Sequence, residues 1–496
     1  MLYARGLTPR QVYSSLGIGI VAFITLHYPT NPHDFWWHLA WGRTISSHGP
    51  LYAPVETGFV RPGTTFFDQP WLAQLLMFSL FRAGGRDLML VVQCVVVGTT
   101  FGLLLDLMTR RAGNRARLGV MVLLVGVVPL TYYNWELRPQ TYCLLLFVLV
   151  LRRLTSYRTR AAATAWPLVP MMVVWANLHG TFVLGIGLIG VVVFVEGVRC
   201  FRNRVEDAAS DTLTRKEWRS LAAWSALAVA GTSLNPHGVR VFEYALLQPR
   251  LTAWDIRTDW LSPSPRTLVG ALFAAGMIAL FVLLALAKKR ASATDLTMLV
   301  VFLWPALMAT RSIVWFALVA GPIAAEALAS LVPGDAAADD VPSPGGYLFV
   351  GVLALAALAE FFFVQRDPAT YRPYTSDTPI AAVKSLRQLD PSLRPRRLFH
   401  SGGTGSYLLF AAPEQPVFID PRFELYSVDQ WRDLQRMEAG IDVAKLTAKY
   451  DFDGLLVTLP AQQALLDEVV TSPVWRPVFR DSTSGLFLRQ PAPSAR

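Results

Sequence analysis

The chain has 496 residues, of which 53% are hydrophobic and only 16% charged, with a formal net charge of +10. Soluble domains average about one charged residue in four, so this composition favours a membrane protein. The basic residues lie in short stretches between apolar runs rather than on one polar surface, which speaks against a nucleic-acid-binding protein. The three cysteines, each in or beside an apolar run, are too few for a disulfide framework and are not spaced as zinc ligands.

Residues 1–28 combine a basic start with an apolar run. A cleaved signal peptide has the same composition, but no small-residue cleavage site follows the run. We therefore interpret this segment as a first membrane helix that begins in the cytoplasm.

Apolar segments recur along the first three quarters of the chain. A helix needs about 20 apolar residues to cross the hydrocarbon core. Eleven segments approach this length: 11–28, 87–108, 118–134, 140–154, 164–178, 181–200, 220–234, 267–287, 295–309, 312–332 and 345–364. The sequence thus predicts a polytopic α-helical membrane protein with about 11 transmembrane helices.

The distribution of basic residues predicts the orientation of these helices. If the N-terminus is cytoplasmic, the inner segments 1–10, 109–117, 152–160, 199–219 and 288–290 carry nineteen Arg and Lys residues. A sixth inner segment, 333–344, carries none, and the longer outer loops carry ten. This bias follows the positive-inside rule. It predicts a protein of the inner (cell) membrane whose C-terminus lies outside the cytoplasm.

Two outer loops are long, 29–86 and 235–266. The first contains a second apolar stretch, "DQPWLAQLLMFSLFRAGG". At about 14 residues this stretch is short for a span, and we interpret it as a helix on the membrane surface. Asp68 would cap this helix, with Pro70 in its first turn.

The composition changes near residue 365, where a polar linker begins. Beyond it, strand-like stretches ("RRLFHSG", "PVFID", "FDGLLVT", "GLFLRQ") alternate with stretches of helical apolar spacing ("VDQWRDLQRMEAG", "DVAKLTAKYD", "AQQALLDEVV"). The alternation predicts a C-terminal soluble α/β domain. The domain division is therefore a transmembrane part, 1–364, and a soluble extracytoplasmic part, 365–496.

The stretch "NPHDFWWHLAWG" places an acid among tryptophans directly after the first span. In a helix, Asp34 and His38 are four residues apart and share a face. Asp34 could take a proton from an acceptor hydroxyl, or hold a divalent cation with His33 or His38. The alternative, that Asp34 simply caps the helix, stays open.

Further polar residues fall at the predicted outer helix ends. Singly, each has a structural explanation, because Asn-Pro and His-Gly end helices and arginines snorkel at membrane edges. Together they place acids for proton transfer and cations for phosphate on one leaflet, the mixture that transfer from a phospholipid donor needs. The residues are Asp34, Glu56, Asp68, Arg138, Asn177, His179, His237 and Arg311.

Two motifs stand out in the C-terminal part. "HSGGTGSYLLF" is similar to a phosphate-cradling loop, but it lacks the P-loop lysine, and a plain turn is the better interpretation. "VFIDPRFELY" places Asp420, Arg422 and Glu424 after a predicted strand. These residues could bind an acceptor, although a buried Asp–Arg pair that holds the loop is favoured.

The chain resembles the GT-C superfamily of membrane glycosyltransferases, which includes protein O-mannosyltransferases and aminoarabinose transferases. The resemblance rests on an Asp just after the first span, on surface helices in that loop, and on an outward C-terminal domain. The stretches "DFWWHLAWGR", "FDQPWLAQLL", "LRPQTY", "WANLHGTF", "LNPHG" and "VFIDPRFELY" also resemble an uncharacterised bacterial branch of that superfamily.

The resemblance implies transfer of a sugar, with inversion, from a polyprenyl-phosphate lipid to an acceptor outside the cytoplasm. Asp34 then matches the first-loop catalytic acid, with Asp68 and Glu56 as further acids of that loop. Donor-phosphate partners would be Arg138, Arg311 and His237. Many relatives carry paired acids where Asp34 is flanked by His33 and Phe35, so a requirement for Mg²⁺ or Mn²⁺ stays open.

Two other functions remain compatible with the sequence. A flippase of lipid-linked sugars would share the membrane spans, but such transporters often show internal repeats and midplane polar groups. A non-catalytic scaffold would present the C-terminal domain to partners.

Overall fold

A computed structural model describes the chain over residues 19, 32–50, 58, 67–113, 116–131, 134–203, 212–252, 260–332, 374 and 378–490. The predicted spans 11–28 and 345–364 lie outside the described residues, as does Glu56. The predicted domain boundary at residues 364 and 365 also lies outside them.

Helices dominate the first two thirds of the described chain. They are α1 Pro32–His48, α2 Trp71–Arg111, α3 Arg117–Thr131, α4 Pro139–Arg158, α5 Leu168–Leu178, α6 Phe182–Asn203, α7 Arg215–Gly231, α8 Arg240–Thr252, α9 Leu268–Leu286, α10 Ala293–Met308 and α11 Ile313–Ala329. The helix α2 is interrupted at Gly84 and Gly85, and Gly85 has a positive φ of 63°.

The last part of the chain mixes short helices and strands. They are α12 Ile380–Gln388, β1 Leu398–Phe399, α13 Gly402–Ala411, α14 Val428–Glu438, α15 Val443–Tyr450, β2 Gly454–Thr458, α16 Gln463–Thr471, β3 Trp475–Arg480 and β4 Ser484–Arg489.

The chain forms two compact units. The first comprises Met1–Tyr28, Gly84–Ala245 and Arg257–Tyr371. The second comprises Pro29–Ala83, Leu246–Ile256 and Arg372–Arg496. Much of the predicted first outer loop therefore belongs to the same unit as the C-terminal part, which the sequence did not indicate.

The first unit contains the predicted membrane segments. Each of the nine predicted spans between residues 87 and 332 coincides with a helix of the described chain, from α2 to α7 and from α9 to α11. Among the described residues, four helices are long and apolar enough to cross a membrane: Trp71–Arg111, Phe182–Arg202, Leu268–Leu286 and Thr310–Ala329. Shorter apolar helices are Leu118–Thr131, Leu168–Leu178 and Ala293–Met308. The count of eleven spans stays a prediction.

The helices of the first unit pack around an aromatic core. The ring of Phe147 in α4 contacts Trp175 of α5, Phe302 of α10 and Trp315 of α11 at centroid distances of 6.2, 5.4 and 5.1 Å. By contrast, only 22% of the most apolar stretch of α9 is buried. An apolar helix that leaves most of its surface uncovered is suited to contact with lipid.

One end of this helix bundle is held by a buried ion-pair network. Arg111 donates to Asp295 (2.7 Å) and to Glu326, and Arg158 donates to Glu196 (2.9 Å) and Asp295 (3.3 Å). These residues lie on five helices, at the C-terminal ends of α2, α4, α6 and α11 and at the start of α10. The predicted alternation of helix direction brings these ends together. Arginines of the predicted inner segments, such as Arg111 and Arg158, therefore form ion pairs in addition to contributing to the positive-inside bias.

The second unit contains a four-stranded sheet in the order β1-β2-β4-β3. Strand β1 is parallel to β2, and β4 is antiparallel to both β2 and β3. The strand predicted from "FDGLLVT" is β2, and the one from "GLFLRQ" is β4. The three predicted helices are α14, α15 and α16, so this part of the chain is α/β as predicted.

The predicted strand "PVFID" is wrong. Its backbone groups bond to side chains instead of a neighbouring strand, since Phe418 N–H donates to His400 Nε2 (2.9 Å) and Phe418 O accepts from Gln430 Nε2 (2.7 Å). His400 is fully buried, and burial lowers its pKa to about 4. The neutral imidazole can therefore accept this hydrogen bond.

Helix α1 packs against α13 within this unit. Trp37 N–H donates to Ser406 Oγ (2.9 Å), and Arg43 donates to Phe410 O (3.1 Å) near the end of α13. Gly405 lets α13 lie close to the backbone of Ile419, because a Cβ at residue 405 would lie 2.0 Å from Ile419 O. The "GGTG" run is thus a helix start with close packing, and Ser401 caps it by accepting from Thr404 N–H.

Helix α1 also crosses the first part of α2 at a glycine. A Cβ at Gly42 would lie 2.2 Å from Gln74 O and 2.6 Å from Phe78 Cβ. The close crossing places His38, one turn earlier on α1, against the side chain of Gln74.

Candidate functional site

Asp34 lies in the first turn of α1, as the sequence predicted for a helix opening in this stretch. A carboxylate in that position interacts favourably with the partial positive charge of the helix N-terminus. Trp37 Nε1–H donates to Asp34 Oδ1 at 3.4 Å. The side chain of Asp34 is half-buried, whereas the neighbouring His33 is exposed. Asp34 is therefore both held in place and accessible.

Asp68 lies just before α2 rather than at its cap position, because the helix begins at Trp71. Its side chain is buried, and Gln74 Nε2–H donates to Asp68 Oδ1 at 2.7 Å. The same amide nitrogen lies 3.3 Å from His38 Nδ1. If the amide donates in both directions, the imidazole is neutral and carries its proton on Nε2. Asp68, Gln74 and His38 thus form one buried polar chain.

The electrostatics of Asp68 follow from its surroundings. Burial raises its pKa to about 7, because the charged form loses hydration. The hydrogen bond from Gln74 and the charge of Arg422 oppose this rise, while the charge of Glu424 adds to it. Asp68 can therefore gain or lose a proton near neutral pH.

The "VFIDPRFELY" motif forms a buried ion pair, the interpretation that the sequence favoured. Arg422 donates to both carboxylate oxygens of Asp420, at 2.9 and 2.7 Å, and the Tyr426 hydroxyl donates to the same carboxylate. The Arg422 guanidinium also lies over the Trp41 ring, 5.5 Å from its centroid. The pair fixes this loop against α1 and places positive charge near Asp68.

In the first unit, Arg311 lies in a 3₁₀ turn between α10 and α11. Arg311 Nη2–H donates to Gln140 Oε1 at 2.8 Å, and the guanidinium lies 4.5 Å from the centroid of the Trp260 ring. Arg138, two residues before Gln140, pairs with Glu136 at 3.0 Å. The structure thus brings both predicted arginines to the start of α4.

The other predicted polar residues of this unit make local structural bonds. Asn177 is buried and donates to Val173 O and to Leu234 O, which ties the end of α5 to the turn after α7. His179 Nδ1 accepts from Thr181 N–H (3.2 Å) in the α5–α6 turn. His237 N–H donates to Asn235 Oδ1 (2.8 Å) in a turn before α8.

A metal site finds no support in the described part of the chain. No group of three His, Cys, Asp or Glu residues there is placed to hold an ion. The predicted set of His33, Asp34 and His38 therefore does not form such a group, since His33 is exposed and His38 is buried against Gln74.

Sequence reasoning missed Gln74, Gln140 and Trp260. The two glutamines had a weak sequence signal, because Gln74 is a lone polar residue in "WLAQLLMFSL" and Gln140 follows a proline at a helix start. Their partners are 36 and 171 residues away in the chain, so their roles needed the tertiary structure.

Solved structures share the fold of this protein over most of the chain. The Archaeoglobus fulgidus oligosaccharyltransferase in its apo form is 11% identical, with a TM-score of 0.53, covering 94% of this chain and 73% of that one. The same enzyme tethered to an acceptor peptide containing an NVT sequon is 12% identical, with a TM-score of 0.52 and coverages of 97% and 74%. ArnT from Cupriavidus metallidurans, bound to undecaprenyl phosphate, is 14% identical, with a TM-score of 0.51 and coverages of 96% and 97%.

The chain has a GT-C fold. This confirms the fold that the sequence resemblance implied. No protein-family profile and no curated protein sequence matches the chain, so the GT-C fold is recognised through structure.

Proposed function

We propose that this protein is a membrane glycosyltransferase that moves a sugar from a polyprenyl-phosphate donor to an acceptor outside the cytoplasm. The observation that carries the proposal is the GT-C fold shared over 96% of the chain with ArnT bound to undecaprenyl phosphate. The buried and half-buried carboxylates of the first loop supply the acid–base groups that such a transfer needs.

In the proposed reaction, the acceptor hydroxyl oxygen attacks the anomeric carbon of the donor. The bond from that carbon to the phosphate oxygen breaks, and the lipid phosphate leaves with the electron pair. Asp34 takes the hydroxyl proton as general base, because it is accessible and its orientation is held by Trp37. Attack opposite the leaving phosphate inverts the anomeric centre.

Asp68 plays a supporting part in this proposal. Its carboxylate is buried behind Gln74 and His38, so it orients these two side chains rather than meeting the acceptor. His38 in turn lies one turn after Asp34 on α1 and contacts the ring of Trp37, with ring centroids 3.7 Å apart and the planes tilted by 34°. The buried polar chain of Asp68, Gln74 and His38 thus contacts Trp37, the residue that donates to Asp34.

Arg138 and Arg311 are the proposed partners of the donor phosphate. Gln140 and Trp260 hold the Arg311 guanidinium, which lowers the entropy lost when it binds a phosphate. Charge-assisted hydrogen bonds of this kind are about twice as strong as neutral ones. Negative charge grows on the leaving phosphate, so the two arginines favour the transition state. His237 remains a third candidate.

The test is sugar transfer from radiolabelled polyprenyl-phosphate sugars by membranes that contain the protein. We expect Asp34→Asn to reduce turnover by about 10²–10⁴-fold, the usual contribution of a positioned base. Asp429→Asn is the matched control, because Asp429 lies on the surface of α14 with 82% of its side chain exposed. Its turnover should equal that of wild type.

Equal turnover by wild type and Asp34→Asn would remove Asp34 from the reaction. If the wild type transfers no sugar from any polyprenyl-phosphate donor but moves labelled lipid across vesicle membranes, the protein is a flippase and the proposal fails.

A further inference from the structure

A cavity of about 340 Å³ lies in the second unit, apart from the groups described above. It is formed by α12, the residues that follow it, and α13. Cavities that bind small molecules measure roughly 300–1,000 Å³, so this one can hold a ligand the size of a sugar. Its walls include Ile380, Val383, Lys384, Arg387, Arg394, Tyr407 and Glu414.

The charged lining of the cavity is predominantly basic. Lys384, Arg387 and Arg394 face a single acid, Glu414. Glu414 Oε1 lies 3.5 Å from Arg387 Nε and 3.7 Å from Arg394 Nη1. These distances exceed those of direct charge-assisted hydrogen bonds. Arg387 and Glu414 are exposed, and the half-buried Arg394 guanidinium donates to Leu389 O and Arg387 O instead, so the pairs with Glu414 contribute little stability. A carboxylate thus already rests loosely between two guanidiniums, and another anion can displace it.

One wall of the cavity is aromatic and leads toward α1. Tyr407 of α13 is largely buried, and its ring meets the Trp36 ring edge-on with centroids 5.0 Å apart. Trp36 lies two residues after Asp34. A single aromatic contact therefore separates the cavity wall from the helix that carries the proposed base.

We propose that this cavity binds the acceptor, and that the acceptor is an anionic saccharide, a sugar bearing a carboxylate or phosphate group. That the ligand is an acceptor for sugar transfer rests on the proposed function. The guanidinium of Arg387 and the ammonium of Lys384 bind the anionic group. Ile380, which is exposed, and the edge of the largely buried Tyr407 ring offer an apolar surface to the face of the sugar.

Binding is measured by titration calorimetry on the full chain in detergent, with four probes. We expect glucuronate and glucose 6-phosphate to bind, and glucose and inorganic phosphate to bind at least about tenfold more weakly, because each lacks one half of the recognised group. Glucose bound as tightly as glucuronate would contradict the role of charge. Inorganic phosphate bound as tightly as glucose 6-phosphate would contradict the role of the sugar.

Two variants locate the site in the cavity. The double variant Lys384→Gln, Arg387→Gln should weaken glucuronate binding by about tenfold or more, since it removes two cations. Glu414→Gln should tighten binding by about two- to fivefold, because the resident carboxylate no longer competes. Lys445→Gln, an exposed lysine of α15 outside the cavity, is the control and should bind as wild type does.

Unchanged binding in the double variant would overturn the proposal, whether or not sugar transfer occurs. The outcomes for the two proposals are separable, because calorimetry needs no donor. Transfer of sugar without saccharide binding would sink the acceptor site alone, and binding without transfer would sink the glycosyltransferase proposal.

Discussion

Two buried aspartates of the second unit are stabilised differently. Asp420 has Arg422 and Tyr426 as direct hydrogen-bond donors, so its charge is compensated at short range. Asp68 accepts its 2.7 Å bond from the neutral amide of Gln74. Burial makes the ionised form of a carboxylate costly because it loses hydration, and the pKa of Asp68 accordingly rises to about 7. Such a cost is typical of a residue kept for function rather than stability.

We predict that Asp68→Asn stabilises the fold while it reduces sugar transfer. The pKa of Asp68 is about 7 in the folded chain, compared with an ordinary value of 3.8 for an aspartate side chain in water. Ionisation of Asp68 therefore costs folding stability progressively from pH 4 to pH 7 and by a constant amount above pH 7. This cost is up to about 4 kcal/mol. The neutral amide avoids it, so the thermal unfolding midpoint of Asp68→Asn should exceed that of wild type at pH 8.

The pH dependence distinguishes this mechanism from a general stabilisation. The difference in midpoint should be small near pH 4, widen up to pH 7 and stay constant above it. A variant less stable than wild type at pH 8, or a difference independent of pH, would contradict the assigned protonation behaviour of Asp68.

At the scale of elements, the crossing of α1 and α2 depends on Gly42. We predict that Gly42→Ala separates the two helices, because the added Cβ would lie 2.2 Å from Gln74 O. The shift would pull Gln74 away from His38, and sugar transfer should fall about tenfold or more, since misplacement by about 1 Å can cost 10²-fold. Transfer assays on membranes with equal amounts of protein measure this.

Gly190→Ala is the matched control for this substitution. Gly190 lies within α6, and a Cβ there would meet nothing within 4 Å. The change should leave transfer intact and favour the helix by roughly 1 kcal/mol. If Gly42→Ala were equally harmless, the crossing would not position the buried polar chain.

The ion-pair network sets how the helices of the first unit are joined. We predict that Asp295→Ala lowers the free energy of unfolding by about 3–5 kcal/mol, because it leaves Arg111 and Arg158 without one shared acceptor. Thermal unfolding of the purified chain in detergent measures the loss. Arg110→Ala is the control: its side chain is 64% exposed, and its pair with Asp106 should contribute less than about 1 kcal/mol. Equal effects of the two variants would contradict a stabilising role for the network.

At the scale of the whole molecule, the orientation in the membrane is open to direct measurement. Thr471 is exposed at the end of α16. We predict that the variant Thr471→Cys reacts with a membrane-impermeant maleimide in intact cells. Arg290→Cys, exposed between α9 and α10, should react only after the cells are opened. The positive-inside bias is the reason for this expectation, since it predicts that residues 288–290 lie in the cytoplasm. Cys143 and Cys200 are buried and Cys94 is half-buried, so labelling of the unsubstituted chain gives the background.

The reversed labelling pattern would place the C-terminal part in the cytoplasm, away from the compartment where the acceptor is expected.

The sequence by itself determined the class of protein and the elements that repeat local patterns. Apolar length predicted the helices of the first unit, the strand-like stretches predicted β2 and β4, and helical apolar spacing predicted α14, α15 and α16, because all these signals depend on neighbouring residues. It failed at "PVFID", where His400 and Gln430 supply the hydrogen bonds that a strand would have needed. It also gave no sign of α8 in the loop 235–266.

Only the tertiary structure decided what the polar residues do. Asp34 and His38 could be placed on one face from their spacing, but the contact of Gln74 with His38, 36 residues away, depends on a helix crossing that spacing does not show. The pKa of Asp68 likewise follows from burial and from Arg422 and Glu424, more than 350 residues further along the chain. Hydrophobic length and periodicity are properties of a segment, whereas burial and charge compensation are properties of what the fold brings against it.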